Sequence, residues 1–176
     1  MAHLVISSSL NPQSRSRQLA LIAFKALEHM ETPVEWLDLA EYSIPFCDGN
    51  SAYENSQTKE LVDKINHAEG VLLAVPIYNY YANAAAKNLI ELTGNAWTNK
   101  IVGFLCAAGG KGSYMSVMSL ANSLMLDFRC LIIPRFVYST SEAFKKGLVS
   151  DPEVKDRISE LAKELHHICT ALNKKP

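Results

Sequence analysis

The stretch Gly70–Leu92, GVLLAVPIYNYYANAAAKNLIEL, decides the fold. Gly70 to Val75 is a short apolar run without alternation, the pattern of a parallel strand covered on both faces. Pro76, with no N–H to give, is expected to end the ladder there. Tyr78, Asn79, Tyr80 and Tyr81 crowd the loop that follows, and helical spacing takes over a few residues later. Flat rings and an amide at the carboxyl end of a central strand suit a planar ligand, because ligands of open α/β sheets sit at such ends. A tyrosine-rich turn packing on its neighbour would read the same, so this stretch leaves both open.

Working outward, His3–Ser7 reads as a first strand and is followed by a polar loop. Its helix carries Leu19, Ile22, Ala23, Ala26, Leu27 and Met30 at helical spacing. Val34–Leu39 is a second strand, and AEYSIPFCDGNSAYENS after it is rich in turn signals. A helix from Ser56 places Leu61, Val62, Ile65 and Ala68 inward and returns the chain to Gly70. Ile101–Ala107 is a fourth strand, GGKGS a tight glycine loop, and Tyr114, Val117, Met118, Ala121, Leu124 and Met125 mark the next helix. Arg129–Pro134 reads as a fifth strand and the segment 135–150 as irregular. Asp151 is placed to cap a last helix, with Pro152 at its first position and Val154, Ile158, Leu161, Leu165, Ile168 and Leu172 along one side. This alternation argues an α/β three-layer sandwich: a five-stranded parallel sheet with helices on both faces.

Length and composition agree with one domain spanning 1–176, since 176 residues at 48% hydrophobic content can bury one good core. A net charge of -1 and a pI near 6.5 leave no footprint for nucleic acid or an anionic membrane. No apolar run is long enough to span a bilayer, and MAHLVISSS enters a strand without a basic leader, so a cytoplasmic protein is expected. Cys47, Cys106, Cys130 and Cys169 lie far apart with no ligand spacing, so no metal site is signalled, and the last three read as core. No charge occurs from Ser113 to Leu126, and only Lys87 from Tyr80 to Ile90. Helices without a charged face are buried all round or lie at an interface. A homodimer or tetramer through the helices around 82–94 and 113–126 is therefore expected.

The first loop limits the ligand. A dinucleotide fold would show G-x-G-x-x-G here, whereas SSSLNPQSRSR has no glycine. It offers hydroxyls at Ser7, Ser8, Ser9, Ser14 and Ser16, the Asn11 amide, and cations at Arg15 and Arg17, all at a helix N-terminus suited to one phosphate. A serine cap with solvated arginines is the plainer account. Other loops add weight. The Tyr78-Asn79 loop supplies a planar slot, and Ala107-Ala108-Gly109-Gly110-Lys111-Gly112 lets backbone approach a ring closely. Together the three loops point to flavin mononucleotide, FMN.

The same residues resemble the NAD(P)H-dependent FMN reductases of flavodoxin-like fold, which include quinone, azo-dye and chromate reductases. ISSSLNPQSRSRQLA is similar to that family's I-S-G-S-L-R-x-x-S-x-N loop, keeping Ser9, Leu10 and Ser14, with Ser8 for Gly, Asn11 for Arg and Ser16 for Asn. PIYNYYANAAAKNLIEL resembles P-E-Y-N-x-S-I-P-G-x-L-K-N-x-I-D, keeping Pro76, Tyr78, Asn79, Lys87, Asn88 and Ile90, with Ile77 for Glu and Asn83-Ala84 for Pro-Gly. LDLAEYSIPFCDG and AAGGKG resemble two further family segments. The resemblance implies that Ser9, Ser14 and Ser16 hold the FMN phosphate, that Pro76, Ile77, Tyr78 and Asn79 line the isoalloxazine, and that Gly109 and Gly110 face its pyrimidine end. Arg15 or Arg17 would compensate for Asn11, and Asn83-Ala84 would reshape the substrate mouth. It implies a ping-pong oxidoreductase passing hydride from NADPH or NADH through flavin to FMN, a quinone or another small acceptor. Arg15, Arg17 and Lys111 are the cations available to a 2′-phosphate.

The alternative is a flavodoxin-like electron carrier or flavin-binding module without NAD(P)H activity; such carriers tend to be acidic, and this chain is near neutral. A receiver domain would need carboxylates where Ser7-Ser8-Ser9 stand. A serine hydrolase would need a G-x-S-x-G elbow, which is missing. His3, His29 and His67 show no partner pattern, His166-His167 divide between solvent and a helix edge, and Asp38 reads as a cap or turn residue. Lys87 and Asn88 are expected to buttress the Tyr-Asn loop.

Overall fold

A computed structural model describes residues 2–173. Its strands are β1 (His3–Ser7), β2 (Val34–Asp38), β3 (Gly70–Tyr78), β4 (Tyr81–Ala82), β5 (Ile101–Ala107), β6 (Leu131–Ile132), β7 (Val137–Ser139), β8 (Phe144–Lys145) and β9 (Leu148–Val149). Five α-helices accompany them: α1 (Arg15–Glu28), α2 (Ser56–His67), α3 (Ala84–Thr93), α4 (Met118–Phe128) and α5 (Pro152–Asn173). The main sheet runs β2-β1-β3-β5-β6. Its neighbours along that order are parallel, which is the flavodoxin-like winding expected from the sequence.

Two apolar layers hold the sheet. Val5, Leu72 and Leu105 face α1 and α5 through Leu19, Ala23, Ile158 and Leu165. Leu4, Ile6, Leu73 and Phe104 face α2, α3 and α4 through Leu61, Leu89 and Leu124. The strands are buried on both faces, which is why they read as apolar runs without alternation. The sheet meets α5 so closely that a Cβ on Gly70 would lie 2.7 Å from Cys169 Sγ and 2.8 Å from Leu165 Cδ1. Asp151 Oδ1 accepts the Glu153 N–H at 2.9 Å, as expected of a capping residue before Pro152. Leu172, expected on the inner side of α5, is instead exposed.

Three expectations need correction. Pro76 closes the parallel ladder as expected, its pair with Ala107 being the last on β5, but it does not end the strand: β3 continues to Tyr78, and the Pro76 carbonyl still accepts the Asn83 N–H at 3.1 Å. Ile77 and Tyr78 then pair antiparallel with Ala82 and Tyr81 in a hairpin whose central residues, Asn79 and Tyr80, have φ of 50° and 63°. The fifth strand row is not continuous over 129–134: β6 and β7 both pair with β5 and are separated at Pro134 and Arg135, the latter at φ 60°. The segment 135–150 is not irregular, since it supplies β7 and the antiparallel β8–β9 hairpin.

The charge-poor helices divide. Most of α3 lies inside the chain's own core, with Ala86, Leu89, Ile90 and Leu92 buried, and Lys87 pairs outward with Glu91 at 2.7 Å. By contrast α4 and the 3-10 turn Lys111–Val117 before it leave Met115 62% and Leu126 82% exposed. Among the described residues no helix is long and apolar enough to cross a membrane, and no group of His, Cys, Asp or Glu could hold a metal ion.

Candidate functional site

The strands β1 and β3 are neighbours, yet the chain leaves β1 for the α1 layer and β3 for the α3 layer. Divergence of this kind opens a crevice at the carboxyl ends of the two strands. A cleft of about 430 Å³ lies there, lined by Ser9, Asn11, Gln13, Ser14, Arg15 and Ser16, by Pro76, Ile77 and Tyr78, and by Ala107, Ala108 and Gly109. A second depression of about 590 Å³ adjoins it through Ile77, Tyr78 and Gly109 and adds Asn79, Tyr80, Gly110, Gly112 and Ser113. The structure thus gathers the sequence-predicted residues of all three loops except Lys111. That side chain lines neither cavity and lies 3.6 Å from Glu142 on the surface. Ser7, counted among the hydroxyls of the first loop, is buried away from the cleft, and its Oγ has no partner among the described residues.

The first loop is built by local side-chain bonds in place of glycine. Ser14 caps α1, its Oγ accepting the Arg17 N–H at 3.1 Å and lying 2.9 Å from Ser16 Oγ. Asn11 Oδ1 accepts the Gln13 N–H at 2.9 Å, an Asx turn. Ser9, Ser14 and Ser16 are nearly inaccessible, and Arg15 is the one charged side chain lining the larger-walled part of the cleft. Arg15 Cζ also stands 5.6 Å from the centre of the Phe144 ring, on the β8–β9 hairpin. At the first two helical positions the N–H groups of Arg15 and Ser16 have no carbonyl of their own helix to reach. Such a set of hydroxyls, N–H groups and one cation receives an anion well.

Arg17 does something else. Its Nη2–H donates to the Ser9 carbonyl at 2.9 Å, and its Nη1–H groups donate to the Asn11 and Pro12 carbonyls at 2.7 and 3.3 Å. Its Nε and Nη2 hold the Asp38 carboxylate, the latter at 3.1 Å from Oδ1. Asp38 also accepts the Ala40 N–H at 3.1 Å, the turn role its position suggested. The pairing with Arg17 escaped the sequence, although the signal was there: parallel pairing sets Asp38 opposite Ser7, at the root of the serine loop.

The loops from β3 and β5 carry their own supports. Asn83 is buried, its Nδ2–H donating to the Ser8 carbonyl at 2.8 Å, so it joins two loops. Asn88 does not buttress the Tyr-Asn loop: it accepts from Cys47 N–H at 2.8 Å and donates to the Pro45 carbonyl at 2.9 Å, pinning the loop after β2. Tyr138 Oη–H donates to the Gly110 carbonyl at 2.5 Å and lies 2.7 Å from Ser113 Oγ. A Cβ built on Gly109 or Gly110 would meet nothing within 4 Å, so backbone there borders open space. Tyr80, left off the sequence-predicted site, is 69% exposed over the second depression and stands in the left-handed region that bulky residues avoid.

The three buried thiols are poor candidates for redox chemistry. Burial pushes the Cys106 thiol far above its ordinary range, Cys130 up to about 11 and Cys169 up to about 12. His3, with no partner visible in the sequence, is buried against His166, their Nε2 and Nδ1 atoms 3.2 Å apart and distant from the cleft-lining residues in the fold.

Known proteins share both sequence and fold with this chain. An NAD(P)H-dependent FAD/FMN reductase of Geobacillus thermodenitrificans is 30% identical over 142 residues, covering 78% of this chain and 76% of its own length. The solved structure of RosB, bound to 8-demethyl-8-formylriboflavin-5′-phosphate, superposes with a TM-score of 0.83 at 17% identity, over 100% of this chain and 81% of that one. FerB, a flavoenzyme NAD(P)H:(acceptor) oxidoreductase of Paracoccus denitrificans, does so with a TM-score of 0.78 at 21% identity, over 97% of each chain. The two structures establish the shared fold. The family described as NADPH-dependent FMN reductase matches residues 1–145, a span that holds the serine loop, the Tyr-Asn hairpin and the glycine loop together, and the chain belongs to that family.

Proposed function

We propose that the chain passes hydride from NADPH or NADH, through FMN bound in the cleft, to a small acceptor such as free FMN or a quinone, in a ping-pong sequence. The observation that carries this reading is the make-up of the cleft. Buried hydroxyls and a single cation at one end run into the apolar Pro76–Ile77 backbone and the open glycine loop at the other. A phosphate monoester and a flat ring joined by a short chain have that distribution of chemistry. Bound there, FMN supplies the hydride-transfer chemistry, and the protein supplies binding, orientation and electrostatics.

In this reading Ser9, Ser14 and Ser16, with the N-terminus of α1 and Arg15, hold the phosphate, and Asn11 shapes the loop around it. Pro76, Ile77, Tyr78 and Asn79 line the ring, and Gly109 and Gly110 let it come against backbone. The exposed rings of Tyr78 and Tyr80 border the second depression, where a nicotinamide or a quinone could stack in turn. Of the cations open to a 2′-phosphate, Arg15 and Lys111 remain, since Arg17 is fully engaged within the protein.

Two copies of the chain would pair through α4 and the turn before it, where Met115 and Leu126 are exposed. The other charge-poor helix, α3, is satisfied within its own chain and contributes its ends. A cytoplasmic setting fits the unpaired thiols.

A visible absorption scan of the purified protein tests the reading, with FMN added if the protein is colourless and NADPH then mixed in without oxygen. Flavin bleached quickly by the nucleotide supports the reductase. Bound flavin that both nucleotides leave oxidised makes it an electron carrier, and a protein that binds no flavin ends the reading altogether.

A further inference from the structure

We propose that Arg17 is a positioning residue for the phosphate end of the cleft: anchored on Asp38, its guanidinium grips three loop carbonyls and holds the 9–14 loop in its phosphate-receiving shape, without touching the phosphate. The inference rests on the reading of the cleft as an FMN site.

Donor arithmetic excludes direct contact. A guanidinium has five N–H groups. Nε and Nη2 serve Asp38, Nη2 serves the Ser9 carbonyl, and Nη1 serves the Asn11 and Pro12 carbonyls, so all are taken. The side chain is also only 14% accessible and its partner 9%, which leaves an incoming anion little access. Arg17 does not line the cleft, whereas Arg15, two residues before it, does. Sequence alone offered either arginine as the cation replacing a loop arginine at Asn11. The structure separates them, one for the ligand and one for the loop.

The grip matters because of what the loop lacks. The turn between β1 and α1 has no glycine and no residue at positive φ to set its course, and Pro12 removes an N–H from its middle. Its carbonyls are the groups an anion must not meet. In a planar trans peptide the C=O and the following N–H point in opposite directions. Turning the Ser9 carbonyl onto Arg17 therefore turns the Leu10 N–H away from it. With the carbonyls of Ser9, Asn11 and Pro12 engaged, the cleft is left with hydroxyls, N–H groups and Arg15. Asp38 fixes the guanidinium in turn, because it is rooted at the end of β2, opposite Ser7, and capped onto Ala40. A lysine could not do this: its ammonium has three donors on one atom and no planar fork to span a carboxylate and the loop.

The test compares two ligands that differ only in the phosphate, FMN and riboflavin, by the quenching of flavin fluorescence on titration. Wild-type protein, Arg17→Lys, Asp38→Asn, the double variant and Arg15→Gln are measured with their thermal midpoints. Wild type binding FMN more tightly than riboflavin supports the underlying site. Equal binding removes that site and the clamp with it. Given the preference, Arg17→Lys and Asp38→Asn are expected to lose FMN affinity by about tenfold or more, equivalent to about 1.4 kcal/mol, while riboflavin affinity holds. The double variant should be no worse than the poorer single, because the two residues act as one unit. Arg15→Gln should weaken FMN, and combining it with Asp38→Asn should add the two losses, unlike the Arg17–Asp38 pair. Arg17→Lys keeping the wild-type preference for FMN overturns the proposal, as does a loss that falls on both flavins in step with the thermal midpoint. Should Arg17→Lys fail to fold, Asp38→Asn, nearly isosteric, decides by the same ratio.

Discussion

Asn83 and Ser8 bind each other twice: the Asn83 Nδ2–H donates to the Ser8 carbonyl at 2.8 Å, and the Ser8 hydroxyl lies 2.8 Å from Asn83 Oδ1. Both residues are buried, and the same hydroxyl lies 2.8 Å from the Ala74 carbonyl. The pair joins the serine loop to the hairpin that follows β3. Asn83→Ala leaves the Ser8 carbonyl without this partner, and a buried group stripped of its hydrogen bond costs about 1–3 kcal/mol. Urea denaturation should show a loss of that size, and Asn83→Asp, which lacks the Nδ2 donor, should fare no better. An Asn83→Ala midpoint equal to that of wild type would mean that the two loops hold their positions independently.

Tyr80 is the one large ring placed in the left-handed region beside the cleft, at φ 63°. A non-glycine residue there costs about 1 kcal/mol or more relative to its preferred conformations, and such strain persists where the surroundings or function require it. Tyr80→Gly should therefore leave thermal stability unchanged or raise it by up to about 1 kcal/mol, the gain in strain being partly offset by glycine's larger unfolded entropy. Turnover with NADPH and a quinone should fall, because the ring bordering the second depression is gone. A variant that is both less stable and fully active would assign the ring to packing on Gly112, whose added Cβ would lie 3.2 Å from Tyr80 Oη.

How much of this was legible in the sequence follows from where each signal is stored. The apolar runs of β1, β3 and β5 are local, so their strands were readable, and Asp151-Pro152 marked the start of α5 as a local cap. The fifth row was not, because β6 and β7 pair for two and three residues and owe their place to β5 more than to their own pattern. Pro76 was legible as the end of the parallel ladder, but the hairpin that carries the strand on to Tyr78 was not, because it uses the proline's remaining carbonyl. The loop residues of the cleft were legible as types at strand ends, Ser9, Asn11, Ser14, Arg15 and Ser16 among them. The grip of Arg17 on Asp38 was not, since it joins residues 21 positions apart through a strand pairing.

Arg15 is the single charged side chain among the residues lining the serine-loop cleft, and it is exposed, its guanidinium standing over the Phe144 ring. Arg15→Gln should weaken FMN about tenfold, since a hydrogen-bonded charge contributes about 1.5–3 kcal/mol and exposure discounts it. The effect should shrink as salt rises, because the Debye length falls from about 10 Å at 0.1 M to about 3 Å at 1 M. FMN titrations of both proteins at those two ionic strengths check this. A deficit that does not change with salt would assign Arg15 to packing on the β8–β9 hairpin.

The His3–His166 contact gives the protein an acid-labile element outside the cleft. Burial lowers the His3 pKa from 6.5 to about 4, with His166 acting in the same direction. The folded state therefore holds His3 neutral in a range where the unfolded chain takes up a proton. Because the unfolded state binds more protons between those values, stability rises with pH there; the contribution is complete above about pH 6.5 and is lost as pH falls toward 4. Replacing the imidazole with an apolar group should flatten this acid limb, at the cost of the His3 Nε2–His166 Nδ1 contact but not of any bond at Nδ1, which has no hydrogen-bond partner among the described residues. The urea midpoint of wild type should drop markedly from pH 7 to pH 5, and that of His3→Leu should drop less. Equal slopes for the two proteins would move the acid sensitivity to other groups, and an NMR titration placing the His3 pKa near 6.5 would do the same.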